Sequence, residues 1–338
     1  MNILVFGKDG QLGKAFKAVL DASEIENLNH IRYVGRAECD LRNADAITAL
    51  LDELKPNLII NAAAYTAVDK AEAEVDLAYA INAKAPEVMA IYAKRYGATF
   101  LHYSTDYVFD GRKKTHYVET DVRSPLGIYG KSKAAGEEAI EAVFKMSHHS
   151  NAEIRAPEQK AQYAQYAILR TSWVYGDGGN FIRTILRLAK ERETLKVIAD
   201  QYGVPTSATL LAEVSLALVL NEGYQLRPFP SGIYHAAPLG ETTWHALACH
   251  TVQAAIDAGA VLKLRPEAIQ ASPSTDYPLP APRPMNSLMA TDKLRRVLVN
   301  RLVNASDSYS QFNSLVDLPI WDALVREYVR KLALDIVI

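Results

Sequence analysis

Ile3-Leu4-Val5-Phe6-Gly7-Lys8-Asp9-Gly10-Gln11-Leu12-Gly13 is the stretch on which the reading of this chain turns. Four consecutive apolar residues predict a strand covered on both faces, because a half-exposed strand would alternate apolar with polar. Gly7, Gly10 and Gly13 then follow at the spacing G-x-x-G-x-x-G, where a strand gives way to a helix. Glycines there let the chain turn sharply, bring backbone amides against a pyrophosphate and pack helix close to strand, while the helix N-terminus attracts negative charge. The segment from Gly7 through Gly10, Gln11 and Leu12 to Gly13 is therefore the expected dinucleotide cradle.

The next residues extend the pattern. β-rich runs at Ile31 to Val34, Leu58 to Ile60, Thr99 to Tyr103 and Ile168 to Thr171 alternate with helix-period segments at Leu12 to Leu20, Ala44 to Leu54, Ala83 to Tyr96 and Tyr129 to Phe144. Such alternation predicts an α/β fold, a Rossmann-type doubly wound parallel sheet. Residues 1–171 read as mainly the NADP(H)-binding domain. Residues 172–338 read as sheet completion interleaved with a smaller C-terminal substrate lobe, with helices near Phe181 to Glu191, Leu210 to Asn221, Trp244 to Ala258 and Ile320 to Leu332. The polar stretch 147–165 reads as a surface insertion, and its adjacent His148 and His149 as solvated rather than metal-binding. Pro273, Pro278, Pro280, Pro282 and Pro284 exclude regular helix or central strand, leaving either a linker or a fixed loop over a ligand.

Composition narrows the function. In 338 residues, 49% are hydrophobic, 22% charged and the net charge is −2, without the basic excess that binding a nucleic acid favours. Cys39 and Cys249 are too few for a disulfide framework and lie outside any metal-ligand spacing, which fits a cytoplasmic protein. No stretch approaches the roughly 20 apolar residues of a membrane span, and the N-terminal run is too short for a signal-peptide core. A nucleic-acid or membrane partner is not expected.

Two further motifs carry chemistry. Tyr129 and Lys133 lie four apart in a helix-period segment, on one face with Cβ atoms roughly 5 to 6 Å apart. A free phenol has a pKa near 10, about three units too high for exchange at neutral pH; a nearby ammonium is expected to lower it. Such a tyrosine can protonate a carbonyl oxygen as hydride reaches the carbon, and Lys133 can hold the nicotinamide ribose. Ser104 and Thr105 end the fourth strand, where a hydroxyl can bond the same oxygen. At the end of the second strand an NAD-preferring site would carry an acidic residue, but Arg36 stands there, so NADPH is expected with NADH as the alternative. An exposed loop arginine is the competing reading. Asp40, followed by Leu41, is the candidate acceptor from the adenine amino group, and Ala62, Ala63 and Ala64 are small enough to let the third strand approach the cofactor.

Over nearly its whole length the chain resembles the dTDP-4-dehydrorhamnose reductase family of the extended short-chain dehydrogenase/reductase superfamily. The resemblance is carried by the glycine segment, Asn61 to Glu72 (NAAAYTAVDKAE), His102 to Phe109 (HYSTDYVF), Tyr129 to Glu137 (YGKSKAAGE), Arg170 to Tyr175 (RTSWVY) and Asp200 to Thr206 (DQYGVPT). It implies NADPH-dependent reduction of the 4-keto group of a dTDP-4-dehydro-6-deoxy sugar to dTDP-L-rhamnose. Thr105, Tyr129 and Lys133 would be catalytic, and Val68, Ser104, Trp173 and Asn286 would border the dTDP-sugar, with a homodimer as the candidate assembly. Leu288 stands where the family commonly has an arginine. Some members bridge a dimer through a metal on three glutamates; Ala15, Glu191 and Asp292 occupy those positions here, so no metal and no magnesium site is expected. The alternatives are an epimerase or 4,6-dehydratase, disfavoured because Tyr107 follows Thr105-Asp106 where a dehydratase commonly has a glutamate, and an NADP-binding regulatory subunit like that of methionine adenosyltransferase.

Overall fold

The computed structural model describes residues 1–23, 25, 30–146, 164–303, 315 and 317–336. Almost all of the insertion expected at 147–165, including His148 and His149, lies outside the described residues; its last residue, Gln165, instead opens a strand. The strands are β1 (Asn2–Phe6), β2 (His30–Val34), β3 (Leu58–Asn61), β4 (Thr99–Thr105), β5 (Gln165–Thr171), β6 (Val174–Tyr175), β7 (Leu195–Ile198), β8 (Tyr202–Gly203), β9 (Thr206–Ser207), β10 (Gly232–His235), β11 (Thr242–Thr243) and β12 (Ile269–Ser272). Six of them form a parallel sheet in the order β2-β1-β3-β4-β5-β10. The remaining six pair two by two: β7 with β12, β8 with β11, and β6 with β9.

The apolar run of β1 is divided between two cores. Ile3 and Val5 join Leu58, Ile60, Phe16 and Leu20 on one face, with Leu211 and Val214 from a later helix. Leu4 and Phe6 join Ile59, Phe100, Ile47, Leu51 and Met89 on the other. Both faces are covered by helices, as the sequence of β1 requires. These are α1 (Gln11–Asp21), α2 (Ala44–Leu54), α3 (Val68–Ala71), α4 (Val75–Tyr79), α5 (Ala85–Tyr96), α6 (Ile128–Lys145), α7 (Phe181–Glu191), α8 (Ala208–Val219), α9 (Trp244–Asp257), α10 (Asp292–Val303) and α11 (Trp321–Ile336). α2 and α7 begin where local chemistry puts them: Asn43 accepts from the Ala46 N–H at 3.1 Å, and Asn180 from the Arg183 N–H at 3.0 Å.

α4 and α5 are joined by a π turn at Ala80–Lys84. Pro86 has no N–H to give to the carbonyl four residues back, that of Asn82. The freed carbonyl faces α6 at Gly136, where an added Cβ would sit 2.1 Å from Asn82 O. The Asn82 side chain accepts from Tyr65 N–H at 2.9 Å and donates to Ser132 Oγ at 3.0 Å, tying the loop after β3 to the helix bearing Tyr129 and Lys133. α6 is also fixed to β5 by a buried ion pair: Glu137 accepts from Arg170 at 2.8 and 2.6 Å and from Arg123 at 3.1 Å.

A separate cluster builds the second lobe from Ile185 and Leu186 of α7, Leu247 and Val252 of α9, and Val325 and Val329 of α11. The proline-rich passage is a fixed strap between the two regions. At one end Ser274 N–H donates to Asp200 at 2.9 Å. Farther along, Ala281 N–H and both terminal nitrogens of Arg283 bond Asp69 on α3, at 3.1, 2.6 and 2.7 Å. Among the described residues no helix is long and apolar enough to cross a membrane.

Candidate active site

Between β1 and β3 the sheet order reverses, and open α/β sheets bind ligands at the C-terminal edge beside such a switch point. A cavity of about 670 Å³ opens there, within the roughly 300–1,000 Å³ of small-molecule sites. Its wall contains Gly7, Gly10, Gln11 and Leu12, then Arg36, Asp40 and Leu41 beyond β2, Ala62, Ala63 and Ala64 after β3, and Ser104, Tyr129 and Lys133. Gly7 has φ +86°, and a Cβ on it would meet Ala63 N at 2.7 Å. Gly13 lies behind the wall, where a Cβ would stand 2.0 Å from Gly7 O, so its hydrogen lets α1 seat against the turn. The α1 N-terminus, the glycine cradle and the exposed Arg36 at the far end fit a phosphorylated dinucleotide.

At the sheet end Ser104 Oγ is buried without a hydrogen-bond partner. Thr171 Oγ1 is in the same condition and also lines the cavity. Sequence reading missed Thr171, although it ends β5 in register with Thr105 at the end of β4, and strand ends are where such sites are built. Thr105 lies behind the cavity wall, donating to Asp106 Oδ1 at 2.9 Å and within hydrogen-bond reach of Tyr129. Ser287, beyond the strap, bonds the other Asp106 oxygen. Burial pushes the Asp106 carboxyl up to about 6, against the hydrogen bonds from Ser287 and Thr105.

The protonation balance differs from the sequence expectation. The Tyr129 phenol is not lowered by Lys133; burial pushes it up to about 12, only partly countered by Thr105. Tyr107 packs edge-on against it with ring centres 5.4 Å apart. Lys133 is brought down to about 8 by burial, against the charge of Glu137. Its Nζ stands 3.3 Å from His102 Nε2.

Three expected sugar neighbours lie away from this wall. Val68 is half-buried at the start of α3. Trp173 takes φ +48° and stacks on Trp244 at 3.6 Å, so one face of its indole is already covered. Asn286 spends its amide on the backbone, donating to the carbonyls of Lys113 and Thr115 and accepting from Leu288 N–H. Asp40 does line the cavity, but Arg42 holds its carboxylate at 2.8 Å and lowers it to about 2. Leu288, at the family's arginine position, packs with Val204, Ala237 and Trp321, an apolar setting that suits leucine. Among the described residues no three His, Cys, Asp or Glu side chains gather as a metal site.

A glycine cradle at the switch point, facing a half-buried tyrosine and a buried lysine one helical turn apart, defines a nicotinamide-dependent oxidoreductase of the extended short-chain dehydrogenase/reductase class. Comparison with known proteins narrows this. Residues 1–308 match the family described as RmlD substrate binding domain. The chain is 42% identical over 301 residues to the dTDP-4-dehydrorhamnose reductase of Salmonella typhimurium, covering 88% of this chain and 91% of that one. It is 40% identical to the Escherichia coli K12 protein of the same name, with the same coverage. A solved dTDP-4-dehydrorhamnose reductase from Clostridium acetobutylicum superposes with a TM-score of 0.78 at 30% identity, covering 98% of this chain and 99% of that one. The Bacillus anthracis enzyme, solved in complex with NADP, gives 0.77 at 28% identity and the same coverage. The chain belongs to the RmlD substrate binding domain family, that of the dTDP-4-dehydrorhamnose reductases.

Proposed function

We infer that this protein reduces the 4-keto group of a dTDP-4-dehydro-6-deoxy sugar, forming dTDP-L-rhamnose, with NADPH as the reductant. The observation that carries the reading is that Tyr129 and Lys133 open onto the same cavity as the α1 N-terminus. Gly7 to Leu12 and Ala62 to Ala64 would hold the cofactor, Arg36 its 2′-phosphate and Lys133 its nicotinamide ribose. NADPH, when bound, supplies the hydride for the carbonyl carbon.

The residues of the chain do the rest. With its pKa raised, Tyr129 is fully protonated at neutral pH and stands ready as the acid that gives its phenolic proton to the carbonyl oxygen. Lys133, cationic below about 8, stabilises the phenolate left behind. Thr105 orients the phenol, and Ser104 offers its unpaired hydroxyl to the substrate oxygen. Trp173, Val68 and the strap near Asn286 are assigned to the sugar side, supported by the sequence match rather than by the cavity wall.

We assign residues 1–171 chiefly to the cofactor and the interleaved remainder to the substrate, a division supported by the separate apolar cluster around α9 and α11. A cytoplasmic location, suited to the free Cys39 and Cys249, and a homodimer complete the reading. The test is NADPH oxidation with the dTDP-4-keto-6-deoxyhexulose generated in situ. Turnover by the wild type and a loss of about 10²–10⁴ in Tyr129→Phe with cofactor binding retained are expected; full activity in that variant would sink the assignment.

A further inference from the structure

The mechanism above leaves one buried polar chain without a task. His102, within β4, is buried between Asn61 at the end of β3 and Lys133 on α6, both buried as well. Asn61 Oδ1 accepts from the Ala63 N–H at 3.3 Å, which turns its Nδ2 toward the imidazole, 3.1 Å from His102 Nδ1. An amide NH₂ only donates, so Nδ1 is the acceptor. Burial, with Lys133 nearby, holds His102 well below the usual histidine range, so the ring is neutral. A neutral imidazole carries one N–H, here on Nε2, and that N–H faces Lys133 Nζ at 3.3 Å. An ammonium has three donors and no acceptor, whereas an uncharged amine has a lone pair. The chain from Ala63 through Asn61 and His102 is therefore complete only when Lys133 is uncharged.

We propose that His102, oriented by Asn61, is a positioning residue for Lys133, anchoring its amine in the ligand-free site and disfavouring the ammonium form. The other titratable groups around the Tyr129–Lys133 pair are Asp106 and Tyr107 after β4 and Glu137 on α6, the last engaged by Arg170 of β5 and by Arg123. None of these lies between the imidazole and the amine. The consequence for turnover rests on Tyr129 and Lys133 being the reacting pair; the effect on Lys133 itself does not.

The experiment is a pH titration of the ligand-free full-length protein labelled with ¹³C at lysine Cε, the Lys133 resonance being identified by its loss in Lys133→Arg. The wild-type midpoint is expected near 8. In His102→Gln the amide oxygen can accept from the ammonium, and the midpoint rises by about one pH unit. A folded His102→Gln protein whose midpoint is unmoved or lowered overturns the proposal. Should that variant fail to fold, Asn61→Asp serves: its carboxylate accepts from Nδ1–H, shifts the ring proton and leaves Nε2 as an acceptor for the ammonium. The rise should be larger with His102 present than in a His102→Phe background, and equal rises, which charge alone would give, overturn it. Because no substrate is involved, failure of the wild type to oxidise NADPH would count against the function and leave this result standing.

Discussion

Gly13→Ala isolates the step on which cofactor binding depends. The added methyl would lie 2.0 Å from the Gly7 carbonyl oxygen and 2.9 Å from Lys8 Cα, both backbone atoms that no rotamer change can move. Ordinary contact begins at 3.4 Å, so α1 and the turn must separate by roughly 1 Å or more. α1 is not free to yield, because Phe16 and Leu20 on it are fully buried in the sheet core. Overpacking of this kind costs about 1–3 kcal/mol of stability. Displacing the amides of Gly10 to Leu12 by the same amount should weaken NADPH by about 10–100-fold, since 1.4 kcal/mol is a factor of ten. Gly179→Ala is the control, because nothing stands within 4 Å of the added methyl and Gly179 lies outside the cavity wall. Fluorescence titration with NADPH and urea unfolding measure both effects. Wild-type affinity in a folded Gly13→Ala protein, or equal losses in the two variants, would refute the argument.

Arg36→Ala should reduce the preference for NADPH over NADH by about tenfold or more, the worth of a charge-assisted hydrogen bond; an unchanged ratio of kcat/KM values removes Arg36 from that role. Arg170→Met leaves Glu137 buried with one ion-pair partner fewer and should cost about 3–5 kcal/mol, while Arg170→Met with Glu137→Leu should recover most of it in urea unfolding. If the double change is no better than the single one, desolvated charge is not what the single change exposes. On the alkaline side, the Lys133 ammonium disappears as pH rises through about 8 while Tyr129 stays protonated to about 12. Turnover that needs the cation should therefore fall near pH 8, and a decline confined to above roughly pH 10, where free lysine titrates, would contradict the lowered value.

Where a signal was local, it could be read from the chain. α2 and α7 run where periodicity places them, and the glycine segment makes the tight strand-to-helix turn it suggests, at the wall of the cavity. The element at Ala83 to Tyr96 was legible only in part: the helical path begins at Val75, and its π turn packs against Gly136, a residue on another helix. β5 starts at Gln165, which pairs with Thr99 on β4 and whose side chain bonds Thr99 and the Arg227 carbonyl, partners 66 and 62 residues away. Protonation was legible least. Tyr129 and Lys133 were visible as a pair, but the direction of the phenol's shift depends on burial, which spacing does not encode. Likewise, Asn286 enters as a sugar neighbour only through the family resemblance, and spacing does not tell that its amide bonds the backbone.

The strap carries five prolines between Pro273 and Pro284, and each fixes one backbone torsion before the protein folds. Its bonds to Asp200 and Asp69 therefore order a segment that has little freedom to lose. A loop that had to condense around its ligand would draw that ordering cost from the binding energy. Here Arg283 already stands within hydrogen-bond reach of Tyr107, so the strap's place in the fold is settled without any contribution from a ligand.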